Sequence, residues 1–109
     1  MGKPVAGDIV ILPFPQTDLK PGKLRPALAL VDLPGDDLIL CQITSQARSD
    51  GFSISLGTSD LARGSLPVAS FIRPNRLFTA DQAVIVRVAA RITPTKLQET
   101  LATARRILS

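Results

Sequence analysis

Between Asp8 and Ile92 the apolar residues come in short runs, and most runs end at a proline, glycine or aspartate. A chain punctuated in this way folds as strands joined by turns rather than as long helices. "DIVILPF", Asp8 to Phe14, reads as a first strand, with Pro13 near its end where a missing N–H is tolerated. "PQTDLKPGK", residues 15–23, is a polar loop rich in turn residues. "RPALALVD" (25–32) and "LILCQIT" (38–44) read as two further strands joined by the turn "LPGDD", which makes a hairpin.

Beyond the hairpin, "FSISL" (52–56) alternates apolar and polar side chains, the pattern of a strand with one wet face. A glycine-containing loop follows. "SLPVASFIRP" (65–74) is read as a strand that stops or bends at Pro74, "RLFT" (76–79) as a short continuation, and Ile85–Ile92 as a strand because its β-branched residues favour one. Thr93 is placed to cap a helix that starts at Pro94, where the lost N–H costs nothing, and Leu97, Leu101, Ala104 and Leu108 recur at helical spacing. Arg105 and Arg106 fall in its last turn, where they complement the helix dipole. Five or six strands followed by one helix suggest a small barrel.

Composition narrows the possibilities further. A chain of 109 residues, 45% hydrophobic and 20% charged, is expected to form a single domain over residues 1–109. Its core must come from Leu, Ile, Val and Ala, because it has no Trp or Tyr and only four Phe. Cys41 is the sole cysteine, so no internal disulfide can form; without histidine a zinc site is not expected, and no cofactor is anticipated. A homodimer is the expected support for so small a core. The N-terminal "MGKPVAGD" has no apolar signal region and no run approaches a membrane span, which points to a cytoplasmic protein. The net charge of +4 permits a polyanionic partner without requiring one.

The ends of the two hairpin strands hold the most informative chemistry. Side chains alternate along a strand, so Arg25 shares a face with Ala27 and Ala29, and Thr44 shares one with Gln42, away from Cys41 and Ile43. A guanidinium beside a stiffly held hydroxyl suits a phosphate: one offers a planar fork of donors with permanent charge, the other a further donor. Arginines and threonines are also common at strand ends, so these residues alone leave a structural role open. Cys41, within an apolar run and without histidine to activate it, reads as a small buried hydrophobe. The helical leucine stripe reads as packing, over the barrel or in a dimer interface.

"GDIVILPFPQTD", "KLRPALAL", "CQITSQ" and "SFIRPNRLFT", in that order and followed by a C-terminal helix, resemble the PemK/MazF family of toxin endoribonucleases from Gly7 into the final helix. The resemblance implies a mainly β fold, an SH3-like barrel of five to seven strands with a C-terminal helix, which dimerises and acts as the toxin of a type II toxin–antitoxin system. It also implies cleavage of single-stranded RNA without a metal, by attack of a ribose 2′-OH on the adjacent phosphate. The family's catalytic arginine falls on Arg25 and its threonine on Thr44, the two residues that the strand pattern singles out. Some members carry an acid two residues after a second arginine; here Arg73 matches that arginine, but Asn75 stands in place of the acid. Arg73 is a candidate phosphate ligand, or a charge before the bend at Pro74.

Lys20, Lys23 and Arg76 are further candidates for an RNA path, contributing salt-dependent affinity rather than sequence choice. Ser45, Gln46 and Thr17 have the hydrogen-bonding groups that base readout needs, and Phe14 is either a stacking surface or core. A cognate antitoxin is expected to cover the basic mouth with an acidic or amphipathic segment that folds as it binds, and a complex with it to contact DNA. Two rivals share the fold. One is a DNA gyrase poison resembling CcdB, disfavoured by a C-terminal "RRILS" that lacks an aromatic anchor; the other is a member that binds RNA or antitoxin without cutting, which Asn75 favours.

Overall fold

The computed structural model describes residues 2–14, 22–47 and 49–109. Seven strands form one antiparallel sheet: β1 (Asp8–Phe14), β2 (Lys23–Asp32), β3 (Asp37–Thr44), β4 (Ile54–Leu56), β5 (Leu61–Gly64), β6 (Ser70–Asp81) and β7 (Arg87–Ile92). Their spatial order is β4-β6-β3-β2-β1-β7-β5, and the sheet curls into a nearly closed barrel followed by helix α1 (Pro94–Leu108). The mainly β barrel with a C-terminal helix thus stands as expected.

The curl has local causes. Register shifts interrupt the β1–β7, β2–β3, β3–β6 and β5–β7 ladders, and each extra residue bends its strand and increases the twist. The widest lies in β6: Cys41 pairs with Leu77 but Gln42 with Arg73, so Pro74, Asn75 and Arg76 have no partners across the ladder. Pro74 therefore does not end the strand. Its missing N–H falls where no ladder bond is needed, and β6 continues through it to Asp81.

Other boundaries also shift. The strand expected from Phe52 begins only at Ile54, because the Phe52 and Ser53 amides donate to the Asp50 carboxylate instead of to a neighbouring strand. The strand expected from Ser65 begins at Ser70, and the preceding loop contains the short β5, which pairs with β7. Gly64 in β5 has φ +74°, and a Cβ there would overlap the Ala89 carbonyl oxygen, so this contact requires glycine. The last strand begins at Arg87 rather than Ile85, after a 3-10 turn at Gln82–Val84 whose Ala83 N–H donates to Asp81.

Two apolar clusters occupy the two faces of the sheet. Ile9, Leu28, Leu30, Cys41, Ile43, Ile72 and Ile92 belong to the first, with Leu97 and Leu101 of α1 packed against it. Val10, Leu12, Ala27, Ala29, Leu38 and Leu40 form the second, flanked by Phe14, Phe78 and Val88. Asp8, almost fully buried, ties β1 to β7 by accepting from Arg91 Nε at 2.8 Å and also accepts from the Val5 N–H at 3.0 Å. That contact accounts for the aspartate in "GDIV".

Helix α1 is capped as expected, with Thr93 Oγ1 accepting from the Lys96 N–H at 3.2 Å. Its buried stripe differs from the leucine pattern. Leu108 is 72% exposed, whereas Thr100 and Thr103 are buried. Their hydroxyls donate to the carbonyls of Lys96 and Glu99, which removes the cost of burying them. No helix among the described residues is long and apolar enough to cross a membrane.

Candidate active site

The sheet register arranges the site. Directly opposed residues of neighbouring strands share a face. The β2–β3 ladder closes on the pair Ala27 and Gln42, and continuing that register two residues outward sets Arg25 against Thr44. On the flanking strands Leu12 pairs with Arg25, and Phe71 pairs with Thr44. Leu12, Arg25, Thr44 and Phe71 therefore form one row across β1, β2, β3 and β6. Val10, Ala27, Gln42 and Arg73 form the next row inward. Arg25, Thr44, Gln42 and Arg73 all project from the face that carries the second cluster.

Arg25 is exposed and Thr44 half-buried. Thr44 Oγ1 accepts from the Gln46 N–H at 3.1 Å, which orients the hydroxyl and leaves its own proton available to a ligand. The same turn leaves Ser45 and Gln46 exposed beside it. Lys23, opposite Phe14, is exposed at the start of β2, and Arg76 is exposed on the β6 bulge. Lys20 and Thr17 lie outside the described residues.

Arg73 is held differently. Its side chain is only 16% exposed, and Nη2 lies 3.3 Å from Asp50 Oδ2. Nε is buried without a hydrogen-bond partner among the described residues. Asp50 also accepts from the Phe52 and Ser53 N–H groups and from Ser53 Oγ. These donors, Phe52 first, hold its carboxyl below the ordinary range against the opposing effect of desolvation, with Arg73 and Ser53 reinforcing the shift. Asp50 thus joins the loop after Thr44 to the arginine of the inner row. Sequence reasoning did not single it out; the signal available was an aspartate followed by glycine with a hydroxyl residue three positions on, the composition of an Asx turn.

Asn75 is half-buried, and its Oδ1 is buried without a partner among the described residues. With Gln42, Arg76, Leu12, Phe14 and Phe78 it lines a groove of about 580 Å³. Phe14 and Phe78 meet edge to face with centroids 5.3 Å apart, so Phe14 packs on the second cluster and also borders the groove. Cys41 lies in the first cluster, and burial pushes its thiol up to about 12. It is protonated at neutral pH and is not a nucleophile.

Several solved structures share this architecture. A MazE–MazF complex from Deinococcus radiodurans aligns over 98% of this chain and 97% of its own, with 24% identity and a TM-score of 0.78. An endoribonuclease from a mycobacterial species, in complex with its cognate antitoxin, aligns over 96% and 94% at 14% identity, with a TM-score of 0.77. The Mycobacterium tuberculosis toxin MazF-mt6 aligns over 89% and 90% at 21% identity, with a TM-score of 0.65. These likenesses define the class of fold. The sequence is more specific: residues 6–108 match the family described as PemK-like, MazF-like toxin of type II toxin–antitoxin system, and the chain belongs to that family. A comparison with curated protein sequences finds no match.

Proposed function

We propose that the protein is a ribonuclease toxin that cleaves single-stranded RNA at the row formed by Arg25 and Thr44. What supports this reading is the strand register: the β2–β3 ladder ends at Ala27 and Gln42, and extended by two residues it brings a fixed positive charge and a hydroxyl donor to the same face. Family membership and the endoribonuclease neighbours support the substrate class.

In the proposed reaction a ribose 2′-oxygen attacks the adjacent phosphorus and the bond to the 5′-oxygen breaks. The products are a 2′,3′-cyclic phosphate and a 5′-hydroxyl end. Negative charge grows on the non-bridging oxygens as the new bond forms, and donors already aimed there lower the barrier. Arg25 supplies the charge and donates to the departing 5′-oxygen, while Thr44 donates to the phosphate. The 2′-OH proton leaves to a group other than imidazole, since the chain has no histidine. The route as proposed uses no metal ion, and the EDTA in the assay below tests that.

Lys23, Arg76 and Lys20 extend the positive track for the RNA backbone, and Arg73, steadied by Asp50, stands behind the phosphate. Ser45 and Gln46, exposed next to Thr44, face the neighbouring bases. Asn75 cannot take a proton as a carboxylate does, so it favours a second reading in which the site binds RNA or antitoxin without cutting. In the proposed cellular setting the toxin works in the cytoplasm as a homodimer. A cognate antitoxin covers the mouth, and the complex contacts DNA.

The test is incubation of the protein with long, weakly structured RNA in EDTA, beside Arg25→Ala and Thr44→Ala, with mapping of the product ends. Discrete cuts that vanish in both folded variants support the enzyme. Intact RNA with a folded protein overturns it and leaves the binding reading.

A further inference from the structure

The groove beside the mouth has no role in the chemistry above. Its walls combine the edge-to-face pair Phe14 and Phe78 with Leu12, the amides of Gln42 and Asn75, and Arg76; among the described residues no acidic side chain lines it. Leu12 stands directly opposite Arg25, and Gln42 lies two residues before Thr44 on the same face. The groove therefore begins where the phosphate row ends. Two residues of strand span roughly 7 Å, within reach of a base attached to a phosphate at Thr44.

We infer that this groove is a specificity pocket for the nucleobase next to the scissile phosphate, read by the Gln42 and Asn75 amides and seated against Phe14 and Phe78. The inference rests on the ribonuclease reading and adds the residues that choose the sequence. Aromatic and apolar walls accept any base face, whereas side-chain amides, each carrying a donor and an acceptor, discriminate base edges. Asn75 is suited to that task, because among the described residues none hydrogen-bonds its buried Oδ1 and so fixes which end of the amide faces outward. The base edge makes that choice. An acidic peptide would pair with Arg76 but has no comparable use for two amides bordering an aromatic wall.

Two measurements test the pocket. In the first, product ends are mapped over a randomised RNA pool for the wild type, Gln42→Ala and Asn75→Ala, with melting curves as a folding control. Discrimination at one position next to the cut should fall roughly tenfold in each variant, while preferences at the other positions persist. An unchanged sequence preference in both folded variants overturns the pocket and leaves the ribonuclease reading intact.

The second measurement follows side-chain amide resonances of the ¹⁵N-labelled wild type during titration with a short RNA blocked by 2′-O-methyl groups. The Gln42 and Asn75 amides should shift together with the Thr44 and Gln46 backbone signals. Shifts at Thr44 and Gln46 alone overturn the pocket only, and no shift anywhere overturns both readings. Movement of Gln42 and Asn75 on dilution without RNA, and none with it, assigns the groove to contact between copies of the chain and also overturns the inference.

Discussion

The two faces of the sheet are built from similar residues but finished differently. The first cluster is closed over by α1, with Leu97 and Leu101 packed against the group that contains Ile9, Leu28 and Ile72. The second runs outward past Leu12 and Gln42 into an open groove bordered by Phe14, Phe78 and Arg76. A face that is sealed contributes stability. A face that stays open at one end presents polar groups on a rigid base, and Arg25 and Thr44 stand there.

The sharpest way to break this contrast is to exchange the consequences of the two faces. Leu28→Ala removes a fully buried side chain from the sealed cluster and should cost about 2–5 kcal/mol, read as a lower urea midpoint. Arg25→Ala and Thr44→Ala should each reduce RNA cleavage by roughly 100- to 1000-fold. Their unfolding free energies should change by less than about 0.5 kcal/mol, as expected of substitutions outside the core. A large stability loss in the latter pair would mean that the open end is structural.

Thr93→Ala sharpens the comparison from the sealed side. It deletes the Oγ1 acceptor of the Lys96 N–H and should cost about 1 kcal/mol, with the loss appearing first as faster amide exchange in α1. The smallest expected effect is pH-dependent. Because Asp50 titrates below its unfolded value of roughly 3.9, its contribution is complete above that value and is lost as pH falls through the folded one. Asp50→Asn should therefore flatten the acid limb of the stability curve below about pH 4 and leave its neutral shape unchanged. An unaltered acid limb in thermal melts from pH 2 to 7 would show that Asp50 contributes nothing through its charge.

Much of the fold was legible because strand period and turn chemistry agree: β1, the β2–β3 hairpin and the cap of α1 fall within two residues of their expected bounds. The misses share a cause. β5 is only four residues long and exists through pairing with β7, so nothing local announces it. Pro74 signals an end that three unpaired residues make unnecessary, and Leu108 fits the helical period but extends past the surface that the barrel offers. At the candidate site, alternation marked Arg25 and Thr44 as polar strand ends, and only the family resemblance gave them a proposed role. Asp50 and the groove walls could not, because Asp50 meets Arg73 only through tertiary placement, and Phe14 meets Phe78 only when β1 and β6 approach from opposite sides of the hairpin.

The unpaired segment of β6 also bears on how such a protein can diverge. Ladder pairs lock the chain on either side of it, at Arg73 and at Leu77, so a change at Asn75 or Arg76 leaves the register of the remaining sheet unaltered. Those two positions behave as an exchangeable cassette: new residues can be sampled at the rim of the groove while the barrel is inherited intact. On the base-reading role proposed for the groove, drift at two codons would change the RNA target.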